Sequence, residues 1–137
     1  MSSTQVRNEW SSVVDSVVRE KPILIKRTRD QIFLSNIELL NELLEAYSYH
    51  AICFTESDGS ITISLDEIDL IENGRNEADA INKLAESILV YANDYYNDYS
   101  YWSRGNRKSH IPYILKALVL SDISKIGGVI KCRSGEI

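Results

Sequence analysis

Cysteine is nearly absent from this 137-residue chain, with two residues, Cys53 and Cys132. They form no Cys-x-x-Cys pair and have no histidine at ligand spacing, so the sequence shows no local zinc-finger spacing and no disulfide-dense secreted scaffold. The sequence predicts a reduced, packed cysteine at both positions, with a disulfide as the open alternative. Glycine (6) and proline (2) are also sparse, so no collagen-like, low-complexity or linker segment is present, and no internal repeat is found. The apolar runs are short, Ile23-Leu24-Ile25 being typical, so no bilayer span is predicted. Met1-Ser2-Ser3-Thr4 leads straight into a polar stretch, which offers no cleavable signal and makes a cytoplasmic location the expectation.

What is present is an ordinary globular mixture of 44% hydrophobic and 26% charged residues. One domain, or two small units sharing a core, fits this length. The net charge of −5 is spread unevenly. Up to residue 40 the basic set Arg7, Arg19, Lys21, Lys26, Arg27 and Arg29 slightly outnumbers the acids. From 41 to 100 only Arg75 and Lys83 are basic, and after 100 the balance turns basic again. A locally basic face on an acidic protein permits nucleic-acid contact, because phosphates respond to the local field.

Periodicity places the elements. Trp10, Val13, Val14, Val17 and Val18 form one stripe on a helix over Arg7–Glu20, with Thr4 as a possible cap and Lys21-Pro22 as its stop. Pro22–Arg27 and Gln31–Ser35 are β-prone runs joined by a Thr28-Arg29-Asp30 loop. Asn36 then caps a helix carrying Ile37, Leu40, Leu43, Leu44 and Tyr47. A second unit is predicted from Ser48: His50–Thr55 and Ile61–Leu65 flank an Asp58-Gly59 turn, a strong hairpin signal. Asn76-x-x-Asp79 resembles a capping box opening a helix of about seven turns that runs to Trp102. Arg104-Gly105-Asn106 breaks it, a helix with Pro112 in its first turn follows from Ser109, and a short helix runs from Asp122 toward Lys131.

Side chains suited to catalysis do not assemble. His50 and Cys53 stand three apart on a strand and so point to opposite faces, which defeats a nucleophile–base pair. His110 belongs near a helix start. Asp66, Glu67, Asp69 and Glu72 lack the order of a calcium loop and read as a solvated edge, while Gly127-Gly128 lacks the spacing of a phosphate loop. The chain therefore reads as no enzyme, with no catalytic residue, metal or cofactor. Tyr91, Tyr95, Tyr96, Tyr99, Tyr101 and Trp102 crowd one helix beyond what a single stripe can bury. Tyr and Trp give interfaces rigid amphipathic anchors, so Tyr95, Tyr99 and Trp102 are the candidate partner-binding residues.

Arg7-Asn8-Glu9-Trp10-Ser11, then Lys21-Pro22-Ile23-Leu24-Ile25-Lys26-Arg27, then Ile32-Phe33-Leu34-Ser35 resemble the amino-terminal module of Phd/YefM-type antitoxins. In that module a short strand precedes an Arg-led helix, a Pro-hydrophobic strand ending in a basic residue, and a second strand ending in Ser. The resemblance covers roughly residues 3 to 47. It implies a homodimer that grips operator DNA and represses its own operon, with the remaining chain holding a toxin. Carried onto this sequence, it implies operator contacts from Arg7 and Arg27, with Thr4, Asn8 and Arg29 adding phosphate contacts. A guanidinium suits either role, since it pairs bidentately with guanine or clamps phosphate.

The Asp58-Gly59 hairpin with the Asn76–Ala80 helix start resembles the partial ribonuclease-like domain of HicB-type antitoxins. The Tyr-Trp helix and Arg107–Leu118 resemble longer RelB-like antitoxins. The expectation is thus an α+β protein. Residues 1–47 form a Phd/YefM-like helix–hairpin–helix unit for DNA docking and dimerisation; residues 48–137 form a hairpin, a long helix and two short C-terminal helices for partner binding. Its expected partners are operator DNA, a small basic cognate toxin and a second copy, with no membrane. The alternative from another class is an interaction or small-ligand-binding module with an antitoxin-like fold and no DNA binding.

Overall fold

The computed structural model describes residues 1–135 and divides the chain into two compact units, Met1–Leu43 and the chain from Leu44 onward. The division falls before the sequence boundary at 47 because Tyr47 faces the second unit. Its ring meets that of Tyr113 edge-on at 5.7 Å, and its carbonyl accepts a hydrogen bond from Lys116 Nζ at 2.7 Å.

In the first unit the helix starts earlier than expected and is broken. Ser2, not Thr4, caps α1 (Ser3–Asn8) through a capping box with Gln5: Gln5 N–H donates to Ser2 Oγ at 3.2 Å and Ser2 N–H to Gln5 Oε1 at 3.0 Å. Glu9, at φ −118° and ψ 29°, interrupts the helix before α2 (Trp10–Arg19). Strands β1 (Ile23–Arg27) and β2 (Asp30–Leu34) pair antiparallel from Ile23↔Leu34 to Arg27↔Asp30. This leaves a two-residue turn in place of the predicted three-residue loop, with Thr28 at φ 54°. Met1 and Ser2 lie along β1 through a parallel bridge from Ser2 to Lys26. Asn36 Oδ1 accepts from Leu39 N–H at 2.8 Å and starts α3 (Ile37–Leu43). The core is small: Val6, Val13, Val17 and Ile25 are buried, with Ile23 and Leu34 packed half-buried against them.

The second unit is built on a four-stranded sheet in the order β5-β4-β3-β6. The predicted hairpin forms β3 (Tyr49–Thr55) and β4 (Ile61–Leu65). Asp58 Oδ1 accepts from Ser60 N–H at 2.9 Å in its loop, and Gly59 takes φ 86°. A third strand, β5 (Leu70–Gly74), extends β4 antiparallel, so the acidic segment is not a uniform solvated edge. Glu67 accepts from His50 N–H at 2.9 Å and Glu72 from Ser87 Oγ, whereas Asp66 and Asp69 are exposed.

Helix α4 (Glu77–Asn97) is capped by Asn76, whose Oδ1 accepts from Asp79 N–H at 2.8 Å. It ends at Asn97, before the predicted Trp102, and a separate turn α5 (Tyr99–Trp102) follows. Pro112 sits in the first turn of α6 (Ile111–Leu120), and Asp122 caps α7 (Ile123–Val129). The predicted carboxy-terminal pair of helices is therefore followed by a strand, β6 (Ile130–Ser134), which pairs parallel to β3. Tyr49, Ala51, Ile63 and Leu65 of the sheet form one core with Leu84, Ala85, Ile88 and Tyr95 of α4, Ile114 of α6 and Ile126 of α7. Alternate residues of the strands point to the other face. The cysteines are not reduced as expected: Cys53 of β3 and Cys132 of β6 form a disulfide, with Cα atoms 6.5 Å apart. Both lie on one face, because the register sets Ala51 opposite Cys132. Among the described residues no helix is long and apolar enough to cross a membrane.

Candidate functional site

In the first unit the sequence-predicted nucleic-acid residues are all exposed. Thr4, Arg7 and Asn8 stand at i, i+3 and i+4 on α1 and so share one helix face, opposite in sense to the buried Val6. Arg7 occupies the last turn of α1, not the start of the first helix, because the chain turns helical four residues earlier. The Ser2–Lys26 bridge sets the start of α1 against the end of β1 where Arg27 lies. Arg29 is in the adjoining turn. Thr4, Arg27 and Arg29 are thus gathered at one end of the unit, with Arg7 and Asn8 a turn further along. Among the described residues Arg7, Arg27 and Arg29 enter no ion pair.

The same unit exposes a large share of its apolar residues. Leu24 and Phe33 are cross-strand partners on one side of the hairpin and are 63% and 52% exposed. Trp10, Val18, Ile32, Ile37 and Leu43 are also exposed by half or more. A core of four buried residues leaves this surface without cover.

In the second unit the aromatic residues separate into a core and a rim. Tyr95 is wholly buried and donates its hydroxyl to Arg107 O at 2.7 Å, so it is a core residue and not a surface anchor. Burial, and then the neighbouring Tyr91 and Tyr99, push its hydroxyl pKa up. Trp102 is half-buried, stacked near Tyr95 with centroids 6.4 Å apart, and covered by the Arg107 guanidinium at 4.7 Å. Along the Tyr-rich segment the exposed rings are Tyr96, Tyr99 and Tyr101. Helical arithmetic separates Tyr95 from Tyr96, because Tyr95 continues the Leu84, Ile88, Ala92 stripe and Tyr96 leaves it; Tyr99 would fall on that stripe but lies beyond the end of α4 at Asn97.

His110, expected from the sequence only near a helix start, is the buried polar side chain among the described residues. Its Nδ1 is hydrogen-bonded with the Tyr91 hydroxyl at 2.7 Å, and its Nε2 lies 3.8 Å from Asp69 Oδ2. Burial pulls its pKa below the usual histidine value; Asp69 opposes the shift and Arg107 adds to it. Tyr91, Trp102, Arg107, His110 and Asp69 line a cleft of about 160 Å³, small beside the ~300–1,000 Å³ of ordinary small-molecule sites. A larger groove of about 440 Å³ lies between β5 and α4, where Glu72, Glu86 and Asp94 outnumber Lys83 around Leu70, Val90 and Tyr91.

No nucleophile–base pair forms from His50 and Cys53. The imidazole Nδ1 lies 3.1 Å from Glu67 Oε1, and the sulfur is in the disulfide. Among the described residues the metal-type donors that converge are Cys53, Glu77 and Cys132.

Three comparisons with known proteins bear on these surfaces. A family described as antitoxin of toxin–antitoxin, RelE/RelB, TA system, and named PHD-like, matches residues 1–132. The crystal structure of the antitoxin part of a proposed toxin/antitoxin system from Syntrophomonas wolfei subsp. wolfei superposes with a TM-score of 0.93. It is 38% identical, over 98% of each chain. A search of curated proteins returns no match.

Proposed function

Because the chain belongs to the PHD-like family of toxin–antitoxin antitoxins, we propose that its first unit is the operator-binding, dimerising half of an autorepressor and its second unit the half that neutralises the cognate toxin. In this reading the amino-terminal unit is of the Phd/YefM kind. Two copies cover each other's apolar surface, and the paired units present Thr4, Arg7, Asn8, Arg27 and Arg29 to one duplex. Dimeric docking of this sort sets the spacing of the half-sites.

The observation that carries the reading is the set of exposed arginines, free of ion pairs among the described residues, beside an apolar surface too large for a 43-residue unit to cover alone. Arginine buried by its own acids could not meet phosphate at low cost; these arginines can. For the toxin, support comes from the exposed Tyr96, Tyr99 and Tyr101 beside Trp102, and from the acidic groove between β5 and α4. An acidic groove with apolar walls suits a basic partner, raising the association rate at low salt and supplying desolvated anchors.

The test is binding of the protein to DNA upstream of its own gene, compared with random duplex across a salt series. Arg7→Ala and Arg27→Ala are each expected to weaken binding by ~1–3 kcal/mol where the contact is to a base. Where it is to phosphate, each flattens the salt slope by about one unit. Equal affinity of the wild type for upstream and random DNA overturns the repressor reading.

A further inference from the structure

Cys53, Cys132 and Glu77 come from three elements far apart in the chain, and their ligand atoms all lie within 4.8 Å of one another. The two sulfurs project from β3 and β6 on one face of the sheet. Glu77 is the first residue of α4. A carboxylate in a helix's first turn is explained by the helix dipole alone. The dipole does not explain why that carboxylate stands beside two sulfurs 79 residues apart in sequence. Among the described residues Glu77 makes no ion pair and no side-chain hydrogen bond, so its oxygens are uncommitted. Both cysteines are half-buried and Glu77 is exposed, which leaves the group open to a reductant and to ions.

We propose that these three side chains form a redox-gated site for Zn²⁺ or another thiophilic divalent cation. In the oxidised chain the sulfurs are bonded to each other and cannot bind metal. A dithiol reductant delivers two electrons and two protons, cleaves the S–S bond to two thiols, and is itself oxidised to a disulfide. Cation uptake then displaces one proton from each thiol, and the two thiolates and the Glu77 carboxylate take three positions of a tetrahedron, with water in the fourth.

The geometry allows this. Zn–S bonds of about 2.3 Å place two sulfurs of a tetrahedron about 3.8 Å apart. Cα atoms at 6.5 Å permit that separation by side-chain rotation without moving the strands. The strands β3 and β6 are thereby clamped in both redox states, by a disulfide in one and by a cation in the other. None of its three residues is among those proposed to contact DNA or toxin.

The full chain is reduced with a phosphine, freed of reductant, and titrated with Zn²⁺ in competition with a chromogenic chelator. Co²⁺ is used in parallel to read thiolate-to-cobalt charge-transfer absorption. The expected result is one Zn²⁺ per reduced chain, none for the oxidised chain, and a rise in thermal midpoint of the reduced protein with added metal. Glu77→Gln is expected to weaken binding by about tenfold or more while the metal-free variant keeps the circular dichroism and unfolding of the wild type. Cys53→Ser abolishes the charge-transfer band; should that variant fail to fold, the oxidised wild type is the cysteine-blocked control. A reduced, folded chain that takes up no metal overturns the proposal, as does Glu77→Gln binding as tightly as the wild type.

Discussion

A β-carbon placed on Gly74 would lie 2.3 Å from the amide nitrogen of Ala80 and 2.7 Å from its Cα, both backbone atoms of α4. No rotamer relieves a clash with backbone, so β5 and α4 must separate. Gly74→Ala is therefore expected to cost about 2–3 kcal/mol in urea unfolding, the upper range for overpacking, and an unchanged midpoint would show that the two elements separate freely. His110 yields a second residue-level expectation. Its folded pKa lies below the ordinary 6.5, chiefly because burial disfavours the cation. In the window between those two values the unfolded chain binds more protons, so stability rises with pH there. The contribution is fully present above the unfolded value and is lost as pH falls through the folded one. The wild type should lose more stability between neutrality and about pH 5 than His110→Gln does; parallel profiles would remove His110 as the cause. Arg7, Arg27 and the Tyr-rich segment were legible as exposed chemistry because charge and aromatic surplus are written in one dimension. The sorting of Tyr95 inward needed the phase of the helix, and the seat of His110 needed the partners Tyr91 and Asp69, which only the tertiary fold brings together.

Among the elements, the central hairpin and the capped helices were readable because their signals are local. Asp58-Gly59 fixes a turn and Asn76 caps a helix through contacts within three residues. The edge strands β5 and β6 were not. Leu70-Ile71-Glu72-Asn73-Gly74 and Ile130-Lys131-Cys132-Arg133-Ser134 are short and polar, as edge strands are, and each is strand only because of a neighbour distant or out of pattern. The break at Glu9 carries no Gly or Pro and so left no mark in the sequence. The second unit holds its own core of sheet, α4, α6 and α7, and Leu44 and Tyr47 belong with it. Residues 44–137 expressed alone should unfold in one cooperative thermal transition. A fragment without cooperative unfolding would show that the two units depend on each other for stability.

On the scale of the whole molecule, the exposed pair Leu24 and Phe33 is the feature on which the proposed dimer rests. Light scattering after size exclusion should give twice the chain mass at ~tens of micromolar, since contiguous apolar surface of this kind marks an interface. Leu24→Ser/Phe33→Ser should halve that mass while keeping the helical circular dichroism. A wild-type monomer would remove the dimer, and a variant that stays dimeric would move the interface to the Trp10 and Val18 side. The parallel partnership of β3 with β6 has a consequence for the order of assembly in time. The first unit closes with contacts that all lie before residue 44, so it is free to fold while the ribosome is still extending the chain. The sheet of the second unit waits for a strand whose cysteine follows its partner by 79 residues, and such distant pairing slows folding. The growing polypeptide thus offers its basic face to the cell before its acidic groove has a completed sheet behind it, and a message truncated before Ile130 leaves that sheet one strand short.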